Sequence, residues 1–367
     1  FDMLKDAAMV VLEVNNIANK YNYEVMDGHA YNVVFNMNRP QYVDFGSFVK
    51  RRNNNWVSYN IFYNHFYIPL YLWSKGYSDI ARNIFLMRDY FNEKEFFKIK
   101  YPLGGQTIYK ILNMLRKVSI ASKDDIYKKI SNKYKKRIAI AINNIFKNKF
   151  NTYVLYNKIR KLKKPIEKSA WYDYHNKINP ATNERFLRIK EIINNFKDAS
   201  SVIELASNQG KFSEFIYENT HIKKIIATDY DKEAVNIMYL NNKDRDNFLP
   251  LVYDVVRTNG RKYDEYIHNR IKSDIVIALA LTHHLILTQE VPIEYIFRTM
   301  SRLTNKYIII EFMPLGLYAG DINNIPEVPS YYTLEWFKNE FKKHFILILD
   351  EKLELNRHVF VGKLKEA

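Results

Sequence analysis

Three acidic residues stand at or near the ends of apolar runs, at intervals that suit a ligand-binding edge. Glu204 lies in "SVIELASNQG", Asp229 ends "KKIIATD" and Asp254 ends "FLPLVYD". If each apolar run is a parallel strand, its carboxyl end borders the crevice where such sheets bind ligands. Asp229 follows Gly210 by 19 residues, a spacing typical of a carboxylate that accepts both hydroxyl groups of a ribose.

The segment after the first apolar run is made of small and amide residues. Ala206, Ser207 and Gly210 let backbone N–H groups approach a ligand, and a helix starting near Lys211 directs its positive end to the same place. The segment is not the G-x-G-x-x-G of dinucleotide-binding loops. Three carboxylates disfavour a phosphate-rich cofactor and suit a positively charged nucleoside such as S-adenosylmethionine.

From about residue 169 onwards, apolar runs alternate with amphipathic helical patterns. This alternation predicts an α/β domain with a parallel sheet covered on both faces. The last two runs are too close for a crossover helix, so they are predicted to pair antiparallel. The predicted strands are 201–205, 223–229, 248–254, 273–281, 306–312, 344–350 and 358–364.

Residues 170–367 resemble class I S-adenosylmethionine-dependent methyltransferases, in particular a bacterial subgroup with a kinase-like remnant ahead of the methyltransferase. "ELASNQGKFS" is similar to the first-strand motif of that subgroup, and "IALALTHHL" is similar to its fourth-strand motif. Ala206 stands where the family has glycine, so its methyl group is expected to crowd the methionine moiety. The resemblance implies a Rossmann-like, seven-stranded sheet in which the final hairpin inserts an antiparallel strand.

The same resemblance implies roles for the residues at the strand ends. Glu204, Asn208 and Gly210 line the methionine side of S-adenosylmethionine, Asp229 binds the ribose and Asp254 the adenine. No metal site is predicted. The full predicted cofactor-binding set is Glu204, Ala206, Ser207, Asn208, Gly210, Asp229, Tyr230, Asp254, Val255 and Ala280.

His283 and His284 follow the fourth predicted strand, whose end faces the transferable methyl group in this architecture. Methyl transfer is an in-line displacement, so the protein mainly holds the acceptor in line. A hydroxyl acceptor must also lose a proton, and a neutral imidazole suits that task. At most one of the two adjacent side chains is expected to face the acceptor. A general base, an orienting hydrogen bond and a packing role all stay open.

A second constellation lies near the start of the chain, in "MDGHAYNVVFNMNRPQYVDFG". Asp27, Asn32 and Asp44 resemble the catalytic loop and the D-F-G aspartate of small-molecule kinases, in which an Asp orients a hydroxyl and an Asn and Asp hold Mg²⁺. The 11 residues between Asn32 and Asp44 fit two short strands and a turn. No glycine-rich loop or ATP-binding lysine precedes Asp27, so a structural or substrate-presenting pseudokinase module is expected.

The basic residues are concentrated in one segment, which we treat as a separate part of the chain. Its 56 Lys and Arg and 40 Asp and Glu residues give a net charge of +16. Residues 116–168 alone carry 17 of the basic residues and three acidic ones. The predicted domains are a mainly helical kinase-like remnant over 1–115, a basic helical connector over 116–168 and the methyltransferase over 169–367. For the connector, both a solvated face and a patch that meets a polyanion or lipid stay open.

The composition bears on disulfides, metal sites and cellular location. The absence of cysteine excludes a disulfide framework and a Cys-based metal site, and without an apolar run of about 18 residues the cytoplasm is the expected location. The predicted activity is S-adenosylmethionine-dependent O-methylation of a glycan, sugar nucleotide or related small acceptor. The alternatives are an RNA methyltransferase that uses the basic 116–168 face and a non-catalytic pseudokinase or binding scaffold.

Overall fold

The computed structural model divides into two compact units, residues 1–167 and 168–367. The residues that it describes are 1–52, 54–86, 93–120, 129, 131–146, 149–166, 179–256, 264–318, 320–321 and 323–365.

The first unit is mainly helical. Its helices are α1 (Asp2–Lys20), α2 (Tyr59–Phe62), a π-helical turn (Tyr63–Tyr67), α3 (Ile68–Trp73), α4 (Ser78–Leu86), α5 (Glu93–Lys100), α6 (Gly105–Ile120), α7 (Lys133–Ile145) and α8 (Thr152–Arg160). They enclose an aromatic core around Phe62, Phe66 and Phe96, all of which are fully buried.

Two short antiparallel strand pairs complete the first unit. Strand β1 (Tyr23–Val25) pairs with β4 (Phe48–Lys50), and β2 (Val33–Asn36) pairs with β3 (Arg39–Tyr42). The β2–β3 hairpin occupies the interval for which the sequence predicted two short strands and a turn.

The second unit contains one seven-stranded mixed sheet. Its strands are β5 (Ser201–Leu205), β6 (Lys224–Asp229), β7 (Phe248–Val252), β8 (Ser273–Ala278), β9 (Thr304–Phe312), β10 (Phe345–Glu354) and β11 (Arg357–Leu364). Their order is β10-β11-β9-β8-β5-β6-β7, with β5 to β9 parallel and β11 antiparallel to both neighbours. This confirms the predicted Rossmann-like methyltransferase sheet, including the inserted last strand.

Helices cover both faces of this sheet. Neighbouring residues of a strand point to opposite sides, so both faces carry apolar side chains that the helices bury. Val202 enters one hydrophobic core and Ile203 enters the other, and both are fully buried. The helices of the second unit are α9 (Glu184–Asn195), α10 (Lys211–Asn219), α11 (Lys232–Asn241), α12 (Asp264–Ile271), α13 (Ile293–Leu303) and α14 (Leu334–His344). Burial on both faces explains why the parallel strands are almost continuously apolar.

The fourth strand is shorter than the predicted 273–281. Strand β8 ends at Ala278, so Ala280 and both histidines lie in the connection beyond the strand. A π-helical turn over His284–Thr288 follows. Among the described residues, no helix is both long and apolar enough to cross a membrane.

Candidate active site

The parallel register brings two of the predicted acidic residues together at one edge of the sheet. Glu204 is aligned with Ala227 of β6, and Asp229 is the last residue of that strand. Both carboxylates are about 95% buried, and the charge of Asp229 helps to raise the pKa of Glu204. Asp254 lies two residues beyond the end of β7 and is half-buried.

Hydrogen bonds anchor the loop between β5 and α10 to the end of β6. Asp229 accepts hydrogen bonds from the backbone N–H of Asn208 through Oδ2 and of Asp231 through Oδ1, both at 2.8 Å. The N–H of Ser207 donates to the carbonyl of Thr228, also at 2.8 Å. Asp229 therefore fixes the loop at this edge of the sheet, and it also accepts a backbone hydrogen bond from Tyr230.

Three residues of this loop have positive φ: Ala206 at 54°, Asn208 at 51° and Gly210 at 77°. A Cβ at position 210 would approach Cγ of Met238 to 2.7 Å, so both conformation and space require glycine there. Ala206 adopts the left-handed conformation in spite of its methyl group, which costs about 1–2 kcal/mol for an L-residue. The departure from the family glycine is therefore tolerated at the expense of backbone strain.

Burial gives both carboxyl groups an unusual affinity for protons. It raises the pKa of Glu204 to about 7, against the opposing hydrogen bond from the Ser213 hydroxyl and the charge of Arg185. Burial likewise raises the pKa of Asp229 to about 6. A cation placed at this edge would stabilise the ionised forms of both groups, so the residues fit a positively charged ligand.

The outer part of the edge is apolar and aromatic. Tyr230 directly follows Asp229 and is 57% exposed, whereas Val255 is buried. Asp254 Oδ1 accepts a hydrogen bond from the N–H of Val256 at 3.0 Å, which fixes the turn after β7. The exposed ring of Tyr230, after β6, offers a surface on which an adenine ring can stack.

The two histidines lie side by side, with ring centroids 4.0 Å apart. Burial, and then the charges of His284 and Arg357, lower the pKa of His283 to about 3, and burial lowers the pKa of His284. Both rings are therefore neutral at pH 7. Nδ1 of His283 is buried and has no hydrogen-bond partner among the residues that the structure describes.

One functional group escaped the sequence analysis, namely Glu311 near the end of β9. This fully buried carboxylate binds Arg185 at 2.5 and 3.1 Å and Arg357 at 3.0 Å. It also accepts the backbone N–H of Ala280 at 2.9 Å, and its carbonyl accepts the hydroxyl of Thr282 at 2.7 Å. Glu311 thus fixes the loop that carries the histidines. The sequence contains one sign of this role, because Glu311 is an acidic residue inside the apolar run "YIIIEF". A carboxylate buried within a strand needs charged or hydrogen-bonding partners.

In the first unit, the structure gathers the three residues of the second constellation. The Asn32 side-chain amide donates to the carbonyl of Asp27 at 2.9 Å and to Oδ2 of Asp44 at 3.1 Å. His29 Nε2 lies 3.2 Å from the Asp27 carboxylate. No group of three or more His, Cys, Asp or Glu side chains suited to a metal occurs among the described residues. The kinase-like assignment of this unit stays a prediction.

Comparison with known protein families finds no match. The chain is 25% identical over 343 residues to the nodulation protein NoeA of Rhizobium meliloti (strain 1021), covering 86% of this chain and 67% of that protein.

Several solved methyltransferases have a similar fold. The N-methyltransferase NodS of Bradyrhizobium japonicum WM9, in complex with S-adenosyl-L-homocysteine, is 11% identical with a TM-score of 0.40, over 53% of this chain and 93% of NodS. A S-adenosylmethionine-dependent methyltransferase of Clostridium acetobutylicum ATCC 824 is 14% identical with a TM-score of 0.39, over 53% and 96%. The ChlM protein of Synechocystis PCC 6803 with bound S-adenosylmethionine is 11% identical with a TM-score of 0.35, over 55% and 87%.

These likenesses concern the fold alone. The second unit has the Rossmann-like fold of class I methyltransferases, defined by its strand order and inserted last strand. Together with the acidic edge formed by Glu204 and Asp229, this topology indicates S-adenosylmethionine as the cofactor.

Proposed function

We propose that this chain is a S-adenosylmethionine-dependent methyltransferase that methylates a hydroxyl group of a glycan, a sugar nucleotide or a related small molecule. The observation that carries the proposal is the pair of buried carboxylates, Glu204 and Asp229, at the carboxyl ends of adjacent parallel strands. Two proton-binding carboxyl groups at a ligand edge favour a cationic ligand over a phosphorylated one.

Different residues of this edge are proposed to contact the methionine, ribose and adenine parts of the cofactor. Glu204, Asn208 and Gly210 hold the methionine end, and the carboxylate of Asp229, which also anchors the loop, accepts from the ribose hydroxyls. Tyr230 and Val255 enclose the adenine, with Asp254 beside it. When bound, S-adenosylmethionine supplies a methyl group on a sulfonium, which is already activated for displacement.

On the acceptor side, the two histidines suit different tasks. His283, whose pKa is lowered to about 3, stays neutral and offers its unpartnered Nδ1 as a hydrogen-bonding group that orients the acceptor. His284 is less buried, so its imidazole is the better proton acceptor of the two. With a hydroxyl acceptor bound, His284 would take up the proton that the hydroxyl loses on methylation.

The proposed acceptor class rests on sequence motifs of the second unit. It follows from the resemblance of "ELASNQGKFS" and "IALALTHHL" to the bacterial subgroup described above. For the first unit, we propose a substrate-presenting role in place of phosphoryl transfer. Its Asn32 amide is already hydrogen-bonded to Asp44, and its Asp27 is paired with His29.

Calorimetric titration with S-adenosyl-L-homocysteine tests the cofactor assignment. The wild-type chain should bind, and Asp229→Ala should bind at least about tenfold more weakly, a difference of about 1.4 kcal/mol, because the loop loses its anchor and the ribose its acceptor. Asp244→Ala, at an exposed position after α11, should bind like the wild type. Equal affinity in the wild type and Asp229→Ala would reject the assignment and favour a non-catalytic scaffold.

RNA methylation is the second candidate, favoured by one feature of the basic segment. Helix α7 exposes Tyr134 and Ile138 among its lysines, a combination of cations and stacking surface suited to single-stranded RNA. Binding to RNA should then weaken steeply with salt concentration. Binding that is insensitive to salt, or absent, would leave the small-molecule acceptor.

A further inference from the structure

A polar cavity of about 190 Å³ lies within the first unit, apart from every residue discussed so far. It opens between α1, the segment after β4 and the start of α8. At about 10–15 Å³ per enclosed water, its volume exceeds that of a single water site many times over. The lining residues are Asn15, Asn19, Glu24, Arg51, Asn54, Asn55, Trp56, Asn151, Thr152 and Tyr153.

Two amide groups in the lining each have one buried atom without a hydrogen-bond partner. Asn15 is 99% buried, and its Oδ1 accepts the N–H of Val25 at 2.7 Å, but its Nδ2 has no acceptor among the described residues. One helical turn later, Oδ1 of Asn19 is buried and has no donor in the described part of the chain. Since buried polar groups are nearly always satisfied, a donor and an acceptor on one wall indicate a ligand that both accepts and donates.

The charges in the lining are balanced. Glu24 is buried, and burial raises its pKa, while the N–H of Val57 donates to its Oε2 at 3.2 Å. Arg51 lies near enough to oppose that rise, and it donates to Oδ1 of Asn54 at 3.3 Å. One carboxyl group and one guanidinium in an otherwise amide-rich wall favour a neutral polar ligand over a phosphate or an aliphatic chain.

Aromatic groups form the remaining wall. Trp56 is buried, and its indole N–H donates to the carbonyl of Val25 at 2.7 Å, which fixes the ring. Tyr153 is 72% exposed, with its backbone in the first turn of α8. Such a ring offers an apolar face beside the polar wall, which suits the C–H face of a sugar ring whose hydroxyls point to the amides.

From this geometry we infer that the cavity binds one neutral saccharide unit, either a free monosaccharide or one residue of a glycan. The hydroxyls of a sugar ring both donate and accept, as Nδ2 of Asn15 and Oδ1 of Asn19 require. Glu24 accepts from a hydroxyl pair, and Tyr153 covers the ring. The inference does not depend on the proposed methyl transfer, because no cofactor-site residue takes part.

Saturation-transfer NMR on the full chain tests this inference, with glucose, N-acetylglucosamine, galactose and mannose each as the probe. At least one sugar should show transfer with a millimolar Kd, and Tyr153→Ala and Asn19→Ala should each weaken its binding about tenfold or more. Tyr21→Ala removes a tyrosine of similar exposure, 74%, that does not line the cavity and should bind like the wild type.

Melting temperatures establish that the variants are folded, and the exposed Tyr153 can be replaced with little effect on the core. No transfer from any of the four sugars would overturn the inference. So would transfer that persists unchanged in both Tyr153→Ala and Asn19→Ala. Calorimetry with S-adenosyl-L-homocysteine on the same variants should give the wild-type result, which separates failure at this cavity from failure of the cofactor assignment.

Discussion

Ala206 has a left-handed backbone conformation that is unfavourable for a residue with a Cβ atom. Its φ of 54° is one that glycine adopts without strain, so Ala206→Gly should raise the free energy of unfolding by up to about 1 kcal/mol after the entropy lost with glycine is subtracted. Ala234→Gly is the matched control, since it lies inside α11 and should destabilise the chain by about 1 kcal/mol or more. Urea unfolding of both variants measures the difference. A loss of stability in Ala206→Gly would contradict the strain argument.

The two buried carboxyl groups make stability depend on pH. Their folded-state pKa values, about 7 for Glu204 and about 6 for Asp229, lie above the ordinary values of 4.5 and 3.8. The folded chain therefore binds more protons than the unfolded chain in that interval. Their contribution to stability is fully present below about pH 4 and is lost as the pH rises through 6 and 7.

Binding of S-adenosylmethionine should show the opposite dependence, because the cation favours the ionised carboxylates. Calorimetry should find affinity at least about tenfold higher near pH 8 than near pH 5.5. Glu204→Gln removes the group with the higher pKa and should flatten this dependence. An affinity that is independent of pH in the wild type would mean that the carboxylates do not meet the cation.

The position of two acidic side chains at one edge of the sheet was predictable from the sequence. Glu204 and Asp229 stand where apolar runs end, and parallel strands bring such ends to one edge. The left-handed conformation of Ala206 was not predictable, because a non-glycine residue carries no local signal for positive φ. The low pKa of His283 was also beyond the sequence, since it depends on burial and on Arg357, which is 74 positions away.

At the scale of elements, the loop between β8 and the π-helical turn depends on one buried ion network. Arg185 of α9 is 94% buried and forms an ion pair with Glu311. Arg185→Met should lower the free energy of unfolding by about 3 kcal/mol, because the buried carboxylate of Glu311 would keep only Arg357 as a charged partner among the described residues. Arg188, one turn later, pairs with Glu351 at the surface, and Arg188→Met should cost less than about 1 kcal/mol. Equal losses in urea unfolding would contradict a special role for the network.

The sheet was predictable at this scale because its elements have strong and distinct patterns. Apolar strands such as Ser201–Leu205 alternate with amphipathic helices, and the closeness of the last two strands leaves only antiparallel pairing. The Arg185–Glu311–Arg357 network joins three segments far apart in the chain. A single sequence contains no periodicity that links such positions, so only the folded arrangement reveals them.

For the whole molecule, the two units have separate hydrophobic cores. The core of the first unit consists of residues from Phe1 to Ile159, and the cores on the two faces of the sheet consist of residues from Phe186 to Val361. Cores that share no residue suggest units that fold by themselves. The composition predicted more than one domain, but the basic segment gave no sign of which neighbour its helices would join.

A fragment of residues 168–367 should therefore fold alone and unfold cooperatively. It contains the complete sheet, Glu204, Asp229 and the Arg185–Glu311–Arg357 network, so its affinity for S-adenosyl-L-homocysteine should lie within about threefold of that of the full chain. Circular dichroism, thermal melting and calorimetry on the fragment measure both properties. A fragment that folds but does not bind would show that the cofactor edge needs residues of the first unit, which the separate cores and the composition of the edge argue against.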